Sequence, residues 1–167
     1  SQSVTISILD DESVPRVTLS VSASSIAENA GSSLTLTATL SKTAAEDVTV
    51  TLATSSTATE GTDYGSLSNI VVSAGATTGT TTFTPTDDSI YDATSNETAV
   101  IAIDTVSGGD ALENGNQSVT ITITDNESAP TVTLSRSAAA IDENSSSTVT
   151  ITATLSNATY QDVTVSI

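Results

Sequence analysis

Residues 2–52 align without a gap to residues 117–167, at an offset of about 115 and with roughly 30 of 51 positions identical. A chain that repeats itself at this spacing is built of units that fold alike, so one architecture must satisfy each copy. The phrase "SILDDESVP" at 7–15 returns as "TITDNESAP" at 122–130. Each time it ends an alternating run in acids and precedes a proline, which marks a unit boundary. The chain is therefore expected to hold the last strand of one unit (1–12), one complete unit (13–127) and the first strands of a third (128–167), as a window on a longer tandem array. Its two ends are not expected to complete each other by strand exchange between molecules, because between them they hold no counterpart of residues 53–115.

Within a unit the apolar period is two. Val4, Ile6 and Ile8 alternate with Thr and Ser, as do Leu34, Leu36, Ala38 and Leu40, and then Val48, Val50 and Leu52. Such alternation turns one face of a strand to a core and the other to water. Further strands are expected at 17–21, 70–73, 80–84, 99–103 and 119–123, with Gly, Asn, Asp or Ser between them and no helical period anywhere. About seven strands per unit with evenly spaced turn signals predict an all-β fold of tandem immunoglobulin-like antiparallel β-sandwiches. Aromatic residues are only 2% of the chain, so the core is expected to be aliphatic and to benefit from extra fastening.

Disulfides and zinc cannot supply that fastening, since the chain has no Cys and no His. Twenty acids against Arg16, Lys42 and Arg136 give a formal charge of -17. Nucleic acid and anionic membranes are thereby poor partners, because little here can displace their counterions. No apolar run is long enough to span a bilayer as a helix. The composition asks for a hard cation held by oxygen.

Most acids fall at strand ends. They are Glu28 in "AENAG", Asp63 in "GTDYG", Asp87, Asp88 and Asp92 in "DDSIYD", and Asp125 and Glu127 around Asn126 in "TDNES". In an antiparallel sandwich the loops gather at two ends, so acids remote in sequence can meet at one pole. Two carboxylates about 4 Å apart repel by roughly 4 kcal/mol at an effective dielectric near 20, so such a cluster takes up protons or a cation. Calcium accepts about six to eight oxygens in flexible geometry and suits the set better than magnesium, which demands a strict octahedron. The plainer alternative is that these residues only form turns and keep the surface soluble.

Taken in order, "AENAG", "ATEGTDYG" at 58–65, "DDSIYD", "NETAVIAI" at 96–103 and "VTITITDNE" resemble the successive landmarks of a Calx-beta domain. The resemblance covers the central unit and both partial ones. It implies a sandwich with calcium at one pole, of a kind also found as tandem repeats in large bacterial surface proteins. Position by position it implies Glu28, Asp63, Asp88 and Asp92 as ligands, with Asp87 beside them, and then Asp125, Asn126 and Glu127. Asn126 interrupts the family's closing acidic triplet, keeping an oxygen but losing a charge. By the same logic Asp10, Asp11 and Glu12 serve the pole of the preceding unit and Glu143 that of the following one, while Asp162 is an ordinary strand-edge acid.

Only residues 13–16 separate the acids of one unit from the first strand of the next, and Pro15 restricts both itself and Val14. Residues 128–131 with Pro130 repeat the arrangement. A cation at this pole would turn flexible beads into a stiffer rod. The expected function is thus a calcium-stiffened stalk or spacer of an extracellular adhesin, surface fibre or biofilm protein at the bacterial cell surface, with calcium and neighbouring repeats as partners. The alternatives are an adhesion module for glycan or protein, and a subunit that assembles laterally with other copies into a filament. Sugar recognition has thin support, because Tyr64, Tyr91 and Tyr160 are the only tyrosines. Catalysis is not expected, since no nucleophile elbow or His/Cys pair is present. "GGDALENGN" at 108–116 resembles a single calcium-binding nonapeptide turn but is expected to be a hairpin loop.

Overall fold

The computed structural model describes residues 1–7, 11, 13–92 and 97–167, and among them there is no helix. The central unit begins with β1 (Arg16–Val21), which continues into β2 (Ser25–Ala27) after the backbone crosses from one sheet to the other. Then come β3 (Leu34–Leu40), β4 (Val48–Ser55), β5 (Ile70–Val72), β6 (Thr78–Phe83), β7 (Ile90–Tyr91), β8 (Glu97–Ser107), β9 (Leu112–Glu113) and β10 (Ser118–Thr124). One sheet has the order β6-β3-β1-β9 and the other β2-β10-β8-β4-β5. All seven stretches expected in the complete unit contain a strand. The unit nonetheless has ten strands among the described residues, because β2, β7 and β9 are two- or three-residue pieces too short to leave a periodic signal.

Alternation decides the packing. In β3 Leu34, Leu36, Ala38 and Leu40 are buried while the threonines between them face outward or stay half-covered. Val48 and Val50 on β4, Ile101 on β8 and Ile121 on β10 meet them from the second sheet, all fully buried. The expectation of a purely aliphatic core needs correction. Tyr64 and Phe83 are the two largest fully buried side chains, stacked with centroids 4.6 Å apart at 28°. Few aromatics are present, but two of them sit where they remove the most surface from water.

The stretch at 108–116, expected as a plain hairpin loop, joins β8 to β10 but also contains β9, which pairs parallel with β1 where the chain enters the unit. Gly108 has φ +87°, and a Cβ there would lie 2.1 Å from the Asp47 carbonyl oxygen, so only glycine fits. Leu112 N–H donates to Pro15 O at 3.0 Å, tying the connector to the sandwich.

The strand expected around Val4 and Ile6 does not form; both side chains are more than four-fifths exposed. Ile8 lies outside the described residues. The equivalent β10 is held by β8 and β2, and no strand among the described residues pairs with residues 2–7. At the other end β11 (Val132–Arg136) and β12 (Ile151–Leu155) pair with Val132 opposite Leu155 and Arg136 opposite Ile151. That is the register of β1 and β3, where Val17 faces Leu40 and Val21 faces Leu36. The clasp recurs too: Thr35 N–H donates to Ser22 Oγ at 3.0 Å, and Thr150 N–H to Ser137 Oγ at 2.9 Å. Residues 132–155 therefore repeat the pairing and clasp of residues 17–40 with which they align.

Candidate metal centre

The acids gather where the chain leaves the unit. β10 delivers Asp125 and Glu127 there, and its parallel neighbour β2 delivers Glu28, because the pairing of Thr124 with Ala27 sets both strand ends level. Glu28 N–H donates to Thr124 O at 3.1 Å, and Asn126 N–H donates to Glu28 Oε1 at 3.3 Å. Carboxylate oxygens of Glu28, Asp125 and Glu127 lie within 4.8 Å of one another. β8 runs antiparallel to β10 and starts at this same end, with Glu97 opposite Ile123.

Asp63 reaches the pole because the next residue cannot leave the core. With Tyr64 fully buried, residues 59–65 fold into a tight loop in which Asp63 N–H donates to Thr59 O at 2.9 Å and Thr59 N–H returns to Asp63 Oδ2 at 2.6 Å. Thr86 N–H donates to Asp63 O at 3.0 Å, which brings the 87–92 stretch alongside. There Asp88 Oδ1 accepts from Ile90 N–H at 2.7 Å, and Asp92 N–H donates to Asp125 Oδ2 at 2.9 Å. Glu28, Asp63, Asp88, Asp92, Glu97 and Asp125 line one cleft, together with Tyr160.

Six of the expected residues thus converge: Glu28, Asp63, Asp88 and Asp92 with Asp125, and Glu127 on its edge. Asp87 instead lines an adjoining groove with Glu28 and Asn29. Asn126 offers its side-chain nitrogen to Glu127 Oε1 at 2.7 Å, so it orients a carboxylate. Asp11 and Glu143 are exposed and outside the cleft, and Asp10 and Glu12 lie outside the described residues. Glu97 and Tyr160 were not expected. Glu97 opens an apolar strand and reads as its first residue; its place beside Asp125 appears only once β8 is laid antiparallel to β10.

The electrostatics show the strain of this convergence. Burial, reinforced by its hydrogen bond with Glu127 and opposed by the Asn126 N–H, pushes the Glu28 carboxyl from 4.5 to about 8. Burial and then the charge of Asp63 push Glu97 to about 7. Glu127 is raised chiefly because it shares a hydrogen bond with Asp125. Burial works to raise Asp125 as well, but hydrogen bonds from Glu127 and from the Asp92 and Glu127 N–H groups outweigh it and leave Asp125 below its ordinary value. Glu127 Oε1 accepts from the Asn126 side chain, and its carboxyl hydrogen-bonds with those of Glu28 and Asp125, which draws it into the cluster. The cleft holds about 30 Å³ of open volume. That suits an ion, since pockets for organic ligands run to several hundred Å³ or more.

Two antiparallel-rich sheets packed face to face, with a carboxylate cleft at one pole, define an immunoglobulin-like β-sandwich with an acidic end. The Calx-beta domain family matches residues 10–127, and the chain belongs to that family. Among solved structures it is similar to the apo-form Calx CBD1 domain, at 16% identity and TM-score 0.53 over 66% of this chain and 98% of that one. It is also similar to CBD12 from CALX1.2, at 19% identity and TM-score 0.55 over 66% of this chain and 44% of that one. At such identities the likeness is one of fold. No curated protein matches the sequence.

Proposed function

We propose that this chain is a non-catalytic, calcium-stiffened structural repeat from the stalk of a long extracellular adhesin or surface fibre. The observation that carries the reading is the convergence of Glu28, Asp63, Asp88, Asp92, Glu97, Asp125 and Glu127 at the pole adjoining the connector. The donor set fits calcium: it is made of carboxylates, it is numerous, and it holds protons it would surrender to a divalent ion. Glu28, Asp125 and Glu127 would grip the ion from the sheet, and Asp63, Asp88, Asp92 and Glu97 from the loops and β8. The ion neutralises charges that otherwise repel across the joint.

Recurrence of the sequence at an offset of about 115, with β11 and β12 paired in the register of β1 and β3, favours a spacer, which needs copies, over a catalyst, which needs one site. The acidic, cysteine-free, Ser/Thr-rich composition, of a kind associated with bacterial surface proteins, and the calcium available outside cells support extracellular placement. Glycan recognition at this pole gains nothing from the small cleft, and Tyr64 is core rather than platform. Thermal unfolding of the chain in excess calcium and in chelator tests the reading. At a calcium level near 100 times Kd, linkage gives about 2.7 kcal/mol, or a rise in Tm of roughly 5–10 °C. Asp63→Asn with Asp88→Asn should remove most of that rise. An identical Tm in calcium and chelator would sink the proposal.

A further inference from the structure

We infer that residues 157–160, which follow β12 in the next unit, are a latch over the acid cleft, and that docking of that unit and ion binding are one coupled equilibrium. The inference rests on reading the cleft as a calcium site. β13 (Ala158–Thr159) lies parallel to β7, pairing Ala158 with Ile90 and Thr159 with Tyr91. The adjacent Tyr160 lines the cleft, and its hydroxyl donates to Asp88 Oδ2 at 2.8 Å. Asn157 Nδ2 donates to Ser128 O at 2.8 Å, fastening the same segment to the connector just beyond Glu127. The connector alone was expected to close on the acids; a segment almost thirty residues further along does so.

Two observations make this more than a chance contact. The ring of Tyr160 is 60% exposed, so the residue is held by its polar end and not by burial. The repeat also diverges here: residues 157–161, "NATYQ", share nothing with the aligned 42–46, "KTAAE", although "TATLS" before and "DVTV" after are identical in both copies. Ala45 stands where Tyr160 stands, so the hydroxyl belongs to this joint and not to the repeat as such. The segment that touches this pole is thus one in which the two aligned copies differ.

The chemistry favours cooperation over competition. Asp88 Oδ1 takes the Ile90 N–H and Oδ2 takes the Tyr160 hydroxyl, which leaves one lone pair on each oxygen. A neutral phenol adds no rival charge, and a donor bonded to a ligating carboxylate fixes its orientation, an effect commonly worth about 10–100-fold in metal affinity. Tyr160 is thus a positioning residue. Linkage is reciprocal, so whatever factor the latch adds to calcium affinity, calcium adds to latch closure.

The test uses the whole chain and its Tyr160→Phe variant, which keeps the ring, with calcium titration calorimetry and amide hydrogen exchange of residues 157–161. In the wild type, calcium should slow exchange of this segment about tenfold or more. In Tyr160→Phe that slowing should be lost and calcium should bind roughly tenfold more weakly, while exchange of β3 and β8 in chelator stays as in the wild type. Equal calcium affinity in both proteins, with exchange at 157–161 indifferent to calcium, would overturn the latch and leave the calcium site standing. A flat titration of the wild type would overturn both.

Discussion

Tyr64→Ala is expected to cost the sandwich about 3–5 kcal/mol, the usual range for emptying a large aromatic site in a core. The ring is fully buried and stacked on Phe83, which is fully buried too, so truncation empties a closed part of the core. The loss is a large share of the roughly 5–15 kcal/mol that holds a domain together. It should appear as a lower urea midpoint at unchanged slope. Its second consequence is functional, because Asp63 is aimed by the loop that Tyr64 anchors. The variant should therefore lose calcium response as well as stability, whereas Tyr64→Phe keeps the stack and should lose far less of either. A cost below about 1 kcal/mol for the alanine variant would mean that the aromatic pair does not organise this end of the core.

The second large effect is one of pH. Glu28 and Glu97 have carboxyls raised from 4.5 to about 8 and about 7 in the folded chain. Across that interval the folded protein binds more protons than the unfolded one. In chelator the stability these two groups contribute should therefore be fully present below about pH 4.5 and be lost as pH climbs towards 8. Calcium reverses the trend, since each proton that leaves vacates an oxygen for the ion. Competition by the Glu28 proton alone makes calcium binding about tenfold weaker at pH 6 than at pH 7. Urea midpoints at pH 5 and pH 8, each with calcium and with chelator, should show the calcium increment growing with pH. An increment that shrinks towards pH 8 would contradict the assignment.

The strands were legible because each long one advertises a buried face by simple alternation, as Leu34 to Leu40 does. The poles were legible in part because Glu28, Asp63, Asp88 and Asp125 interrupt that alternation at strand ends. Other features depend on pairing partners remote in sequence. β2 reads as the continuation of β1 until β10 draws it into the second sheet. Glu97 reads as the opening of an apolar run, and only the antiparallel alignment of β8 with β10 reveals which end it shares. Tyr160 belongs to a different unit from Asp88, 72 residues away, and no period links them. Val4 and Ile6 show the converse: a strand pattern without strand neighbours leaves its apolar side chains in water.

The account turns on carboxyls that are protonated for want of a cation, so counting protons is its most direct test. Calcium titrations at pH 7 in buffers of differing ionisation enthalpy report how many are released. With Glu28 near 8 and Glu97 near 7, about one and a half protons should leave as the ion binds. Binding that releases none, or no binding at millimolar calcium, would show that the pole is not a site where calcium replaces protons.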